Sequence, residues 1–271
     1  MLTDDVNQDG ASPPGYFNCR FTDFSSIAMD GAGLGLLVSP GDVRDCQSHG
    51  GIFVIYGAST ITNCLFERCY ADIGAYTGSI ENVRNSLFFG GTLNVYSTVS
   101  NSIMSDNLFE RTTIFGDFFW IGYQGKNAYV TNCDRITPTN SLDIILTNTD
   151  FREGPLGRFY YPTNGGMLSR LINAGSTNAD LVMLYHHTVM TNLISSLQIK
   201  ETNSVVDIGF HYVATDSAGN PQDTDSDGGL DIFEDTNGDG QVNSGETDWR
   251  SPSDFGLNII ITQPKTNSFV P

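Results

Sequence analysis

Between residues 16 and 151 one short pattern returns seven times, and few folds accommodate it. It reads: an apolar residue, any residue, Asn or Asp, a small residue, any residue, then usually a large apolar one. The copies are Tyr16–Phe21, Val43–Ser48, Ile61–Phe66, Val83–Phe88, Val99–Met104, Val130–Arg135 and Leu146–Phe151, and those ending in Ser48 and Arg135 depart at the last position. Their polar residues, Asn18, Asp45, Asn63, Asn85, Asn101, Asn132 and Asn148, are separated by 27, 18, 22, 16, 31 and 16 residues. That suits a coil of roughly 20 residues with loops of variable length.

Glycine-bounded β-rich runs such as Gly51–Gly57 and Gly91–Tyr96 separate the copies, and no stretch keeps a helical period. Strands alone are therefore expected. In a parallel β-helix successive coils stack about 4.8 Å apart, so each coil position becomes a column along the axis. The apolar positions then point inward, the small residue fits an interior corner, and the Asn bonds the coils above and below.

This pattern resembles the asparagine ladder of right-handed parallel β-helix proteins. Leu171–Ser176 and Val205–Phe210 are similar to the closing segments of large secreted bacterial members of that class. The resemblance implies an all-β fold, a right-handed parallel β-helix over 16–151, a C-terminal cap over 152–214 and an extracellular or cell-surface location. Such folds host many activities, so the fold alone does not fix function.

Four of the five cysteines, Cys19, Cys46, Cys64 and Cys133, occupy the small-residue position, and Cys69 does not. Side chains in one column run parallel, which holds Cβ atoms farther apart than the roughly 3.8 Å of a disulfide. Stacked free thiols are expected.

The net charge of −18 and pI near 4.2 argue against nucleic acid or an anionic membrane as partner. No run approaches the roughly 18 apolar residues of a membrane span. Cations are the better partners, because ten acidic residues crowd residues 216–248 and no Lys or Arg lies between Lys200 and Arg250. There the calcium-loop template D-x-[DN]-x-[DN]-G-x5-E is met twice without a gap. Asp223, Asp225, Asp227, Gly228, Asp231 and Glu234 fill positions 1, 3, 5, 6, 9 and 12 of the first loop, and Asp235, Asn237, Asp239, Gly240, Asn243 and Glu246 those of the second. Ca²⁺ takes 6–8 oxygens, and alternate acidic residues on a tight turn converge on one point. The expected ligands are Asp223, Asp225, Asp227, Gly229, Asp231 and Glu234, then Asp235, Asn237, Asp239, Gln241, Asn243 and Glu246, with Gly229 and Gln241 serving at position 7 through their carbonyls. The loops abut with no intervening residue, so they resemble thrombospondin type 3 repeats more than sensor EF-hands, and dockerin loops only in ligand pattern. Asp5–Gly10 begins a third match, but Tyr16 stands where its closing Glu belongs.

The expected divisions are a linker or truncated segment at 1–15, coils at 16–151, a cap at 152–214, calcium loops at 215–250, and a linker with the first strand of a following domain at 251–271. The leading functional reading is a calcium-binding stalk, adhesin or glycan-contacting module, with a polysaccharide or cell-surface glycan and the following domain as partners. Its rival is a polysaccharide lyase or glycoside hydrolase. A lyase needs a base beside a carboxylate–calcium site, and the coil region carries one lysine, Lys126. Glu67, Asp72, Glu81 and Glu110 offer glycosidase-like pairs without selecting one. No catalytic residue is assigned. Phe115–Tyr123 is an aromatic run suited equally to sugar stacking and to burial, and His186 and His187, adjacent on an extended chain, are expected to face opposite ways.

Overall fold

The computed structural model describes residues 17–27, 36–38, 41–56, 59–75, 81–97, 102–117, 121–191 and 197–254. The expected linker 1–15 with its partial loop, Asn101, Phe118–Trp120 and the strand at 257–262 lie outside them.

The fold is a parallel β-helix of about four turns. One wall is a six-stranded parallel sheet of Phe17–Arg20, Gly41–Arg44, Ser59–Thr62, Glu81–Arg84, Ser102–Ser105 and Ile121–Gly125. A second wall carries the longer strands Gln47–Tyr56, Leu65–Ala75 and Leu87–Ser97, again in parallel register. Alternation decides what is enclosed: Phe53, Ile55, Ala71, Ile73, Leu93 and Val95 point inward and are buried. Phe66, Phe88, Phe109 and Tyr129 stack one per coil, with centroids 4.9, 5.1 and 5.0 Å apart and rings within 13° of parallel. The coil rise equals the stacking distance of aromatic rings, so one register satisfies both backbone and core.

Between the walls the chain turns through a left-handed residue in every coil: Phe21, Asp45, Asn63, Asn85, Asp106 and Lys126, with φ between 49° and 61°. The repeat places Asp45, Asn63 and Asn85 here correctly, since Asn and Asp tolerate this conformation best. Its other copies are out of register. Phe17 pairs with Gly41 and Met104 with Val83, so the corner of the first coil is Phe21 rather than Asn18, and Asp106 takes the place expected of Asn101. Asn132 and Asn148 fall in irregular chain outside this column.

The polar ladder lies one residue after the corner, inside the helix. Cys64 N–H donates to Ser86 Oγ (3.1 Å), Ser86 N–H to Asn107 Oδ1 (3.0 Å), Asn107 N–H to Asn127 Oδ1 (3.0 Å) and Asn127 N–H to Asp143 Oδ1 (3.2 Å). The amides of Asn107 and Asn127 also donate to Val83 O and Met104 O, each at 2.9 Å. Cys46 and Cys64 belong to this column, whereas Cys19 pairs with Val43 in a neighbouring one. All five cysteines are free, and Cys69 is buried against Ser48.

Parts of the segment 152–214, expected as a terminal cap, lie along the corner column. Asn63 Nδ2 donates to His211 O (2.9 Å) and Asn63 Oδ1 accepts from His211 N–H (2.6 Å), Asn85 Nδ2 donates to Asp207 O (3.0 Å), Gly209 N–H to Asp106 O (2.9 Å), and Lys126 Nζ to Ala174 O (3.2 Å). The segment is a strap whose backbone groups are answered by successive coils. Leu168, Leu171, Ile208 and Phe210 bury against Leu65, Leu87, Leu108 and Ala128 of the coils. Among the described residues, helix is confined to the 3₁₀ turns Leu168–Leu171 and Ala179–Val182 and one α-turn, Asp231–Glu234, all of them outside the coils, where strands alone were expected.

Candidate metal centre

Both acidic loops trace the same backbone path. In the first, Asp223 accepts from the N–H groups of Ser226 (2.7 Å) and Gly228 (3.1 Å), Asp225 from Asp227 (3.2 Å), and Asp227 from Gly229 (2.9 Å). In the second, Asp235 accepts from Gly238 (2.8 Å) and Gly240 (2.6 Å), Asn237 from Asp239 (3.0 Å), and Asp239 from Gln241 (2.7 Å). These side chains close the turn themselves, which is why Asp and Asn recur at alternate positions. Gly228 and Gly240 sit at φ 98° and 76°. A Cβ at Gly240 would also fall 2.2 Å from the Tyr185 ring.

The loops differ in where their acids point. Asp225, Asp227 and Glu234 bring carboxylate oxygens within 4.8 Å of one another, and Asp254 joins them. Glu234 is 1% exposed, and its Oε2 accepts no hydrogen bond, nor does the buried Asp225 Oδ2. Thr247 Oγ donates to the other Glu234 oxygen at 2.9 Å. Burial pushes the Glu234 carboxyl up to about 7, and the charges of Asp227, Asp225 and Asp254 push the same way. Among the expected ligands of this loop, Asp231 stands apart: it accepts from Thr224 N–H and Oγ, both 2.7 Å, and is ion-paired with Lys200.

In the second loop the acids are answered from within. Glu246 accepts from Asn237 N–H (3.0 Å), Thr236 Oγ (2.9 Å) and Asn243 N–H (2.9 Å), while Asn243 Nδ2 donates to both Asp239 oxygens. Asp235 also accepts from His186 Nε2 at 2.9 Å. Burial holds His186 below its ordinary value, so the neutral ring is the donor.

The loops are bound into the β-helix. Arg20 Nη1 donates to Thr236 O (3.1 Å), Arg44 Nη2 to the same oxygen (2.7 Å), and Phe233 packs edge-on to Phe21 at 5.7 Å. His187 has a different carboxylate from His186 beside it, its Nε2 3.0 Å from Asp45 Oδ1. Arg44 is a buried clamp. Asp254 was missed because it lies outside the template and beyond the expected module boundary.

Glu67, Asp72 and Glu110, weighed for catalysis, are engaged elsewhere. Glu67 binds His49 (2.9 Å) and Arg158, Asp72 accepts from Asn94 (3.1 Å), and Glu110 accepts from Thr149. Lys126 meets a strap carbonyl rather than a carboxylate. None of the protein-family models, curated proteins or solved structures compared with the chain matches it.

Proposed function

We propose that this is a calcium-binding β-helix of the extracellular or cell-surface kind, acting as a stalk, adhesin or glycan-contacting module, in which the ion fixes the acidic loops to the flank of the coil. One observation carries the reading: a buried glutamate, Glu234, with an oxygen that accepts no hydrogen bond, aimed at two more carboxylates in template register. Asp225, Asp227 and Glu234 would hold the first ion with the Gly229 carbonyl, Asp254 completing the shell, and Asp235, Asn237, Asp239, Gln241, Asn243 and Glu246 a second. The first loop carries five acids and the second three, so the first is the tighter site. For glycan contact the outer face of the long-stranded wall offers exposed Tyr70 and Phe115 beside Thr92 and Thr113. Among the described residues no helix is long and apolar enough to cross a membrane.

Calcium titrated into chelator-treated protein should bind with a dissociation constant of about 10⁻⁴–10⁻³ M, the range of extracellular modules. Trp249, packed 5.0 Å from His186 and 5.8 Å from Tyr185, provides a fluorescence report. Glu234→Gln should weaken the first site by at least the roughly 10- to 100-fold that even outer-shell partners contribute, with Glu246→Gln affecting only the second. Calorimetry showing no heat at millimolar calcium, or both variants binding like the parent, would leave the loops as solvated acidic turns.

A further inference from the structure

A second set of metal-ligand side chains lies outside the acidic loops, within the strap. Glu201, Asp207 and His211 are 8%, 1% and 1% exposed, and one ligand atom from each lies within 4.8 Å of the other two. His211 Nε2 stands 3.9 Å from Glu201 Oε1, too far for a hydrogen bond. Both ring nitrogens of His211 and Asp207 Oδ2 are buried and without a hydrogen-bond partner. Three polar side chains thus converge on one point with both nitrogens of the imidazole unsatisfied, an arrangement that costs free energy unless something occupies the point.

The surroundings hold these groups in place from behind. Ser204 Oγ donates to Glu201 Oε2 (2.9 Å) and Asn173 N–H to Asp207 Oδ1 (2.5 Å), leaving the opposite oxygens facing inward. The Glu201 backbone N–H donates to His187 O (2.7 Å), and His211 is fixed at both backbone groups by Asn63. Such second-shell bonds set ligand orientation in metal sites.

We propose that Glu201, Asp207 and His211 form a buried site for one divalent first-row transition-metal ion, such as Zn²⁺ or Mn²⁺, which cross-links the strap to itself between residues 201 and 211. One imidazole nitrogen with two carboxylates suits such an ion and does not suit calcium, whose shell is all oxygen. Without metal, burial pushes both carboxyls up, Asp207 raising Glu201 further, and burial also holds His211 below its ordinary value. The imidazole is therefore already in its ligating form, and binding displaces the proton held between the carboxylates.

The test uses the full chain, chelator-treated and then saturated with calcium so that the acidic loops are filled. Cobalt(II) should bind at one equivalent with visible d–d bands, be displaced by Zn²⁺, and raise the unfolding temperature. Glu201→Gln keeps the shape and the Ser204 contact while removing a charged ligand. It should lower cobalt affinity by about 100-fold and raise the unfolding temperature of the metal-free protein at neutral pH by removing the cost of keeping the buried Glu201 carboxyl protonated. Zinc-soaked crystals of the parent should show anomalous scattering between the three side chains, which decides the matter if the variant fails to fold. Cobalt binding retained in Glu201→Gln but lost in Glu234→Gln would place the metal in the acidic loop, and no binding of Co²⁺, Zn²⁺ or Mn²⁺ would show a proton-sharing carboxyl pair. Either result overturns the proposal.

Discussion

Replacing Asp45 with asparagine is expected to destabilise the protein by about 3–5 kcal/mol, the cost of removing one partner from a buried ionic cluster. The Asp45 side chain is 2% exposed and gathers groups from four parts of the chain. Arg20 Nε donates to Oδ2 at 2.9 Å, Arg44 Nε lies 3.4 Å from the same oxygen, Asn63 Nδ2 donates to Oδ1 at 2.8 Å, and His187 Nε2 lies 3.0 Å from it. Arg20 and Arg44 in turn reach Thr236, so the loss would loosen the contact between coil and acidic loops. Burial alone would raise the Asp45 carboxyl, but His187, Arg20 and Arg44 override it and hold it well below the usual carboxylate range. A depressed native pKa gives stability that is fully present above the unfolded value of about 4 and is lost as pH falls through the native value. The gap between parent and Asp45→Asn in urea unfolding should therefore be constant from neutral pH to about pH 5 and narrow on further acidification. A gap that widened in acid would mean that Asp45 is not the charged centre of this cluster.

The β-helix was legible because a coil imposes both a period and an inside. Val43, Ile61 and Val83 recur one coil apart and are buried as a column. The register was only half legible. A left-handed corner is easiest for Asn or Asp, and where the sequence uses them, at Asp45, Asn63 and Asn85, the reading falls on the right residue. Phe21 and Lys126 adopt the same conformation, imposed by the coils on either side rather than by local preference. Asn18, Asn132 and Asn148 match the pattern because it requires little more than a strand end and a turn. The turns of the acidic loops were easier, since five fixed positions in twelve leave little room for chance. What no local pattern carried was the flank: Glu201, Asp207, His211, Asp254 and Arg44 acquire partners through a strap that folds back along the helix.

Substituting Asn107 with alanine should cost about 2–4 kcal/mol, and it tests where the polar ladder runs. Asn107 is fully buried, accepts from Ser86 N–H, and donates its amide to Val83 O and Asn127 Oδ1 (3.2 Å). Alanine leaves an N–H and a carbonyl buried without these partners, at roughly 1–3 kcal/mol for each group left unsatisfied. Asn85 is the informative control, because the repeat alone would make it the ladder residue. Its side chain makes one hydrogen bond, to Asp207 O on the strap, and its Oδ1 accepts none. Asn85→Ala should therefore lose about 1–2 kcal/mol, covering that bond and the strain of alanine at φ 49°. The two variants should also differ in kind. Loss of the Asn85 bond frees the strap locally, so hydrogen exchange should quicken around Asp207 while the coil strands stay protected, whereas loss of Asn107 interrupts bonds between three successive coils and should quicken exchange in all of them. If Asn85→Ala proves the more damaging, with exchange spreading through the coils, the ladder stands at the corner, and the inward column one residue later is only packing.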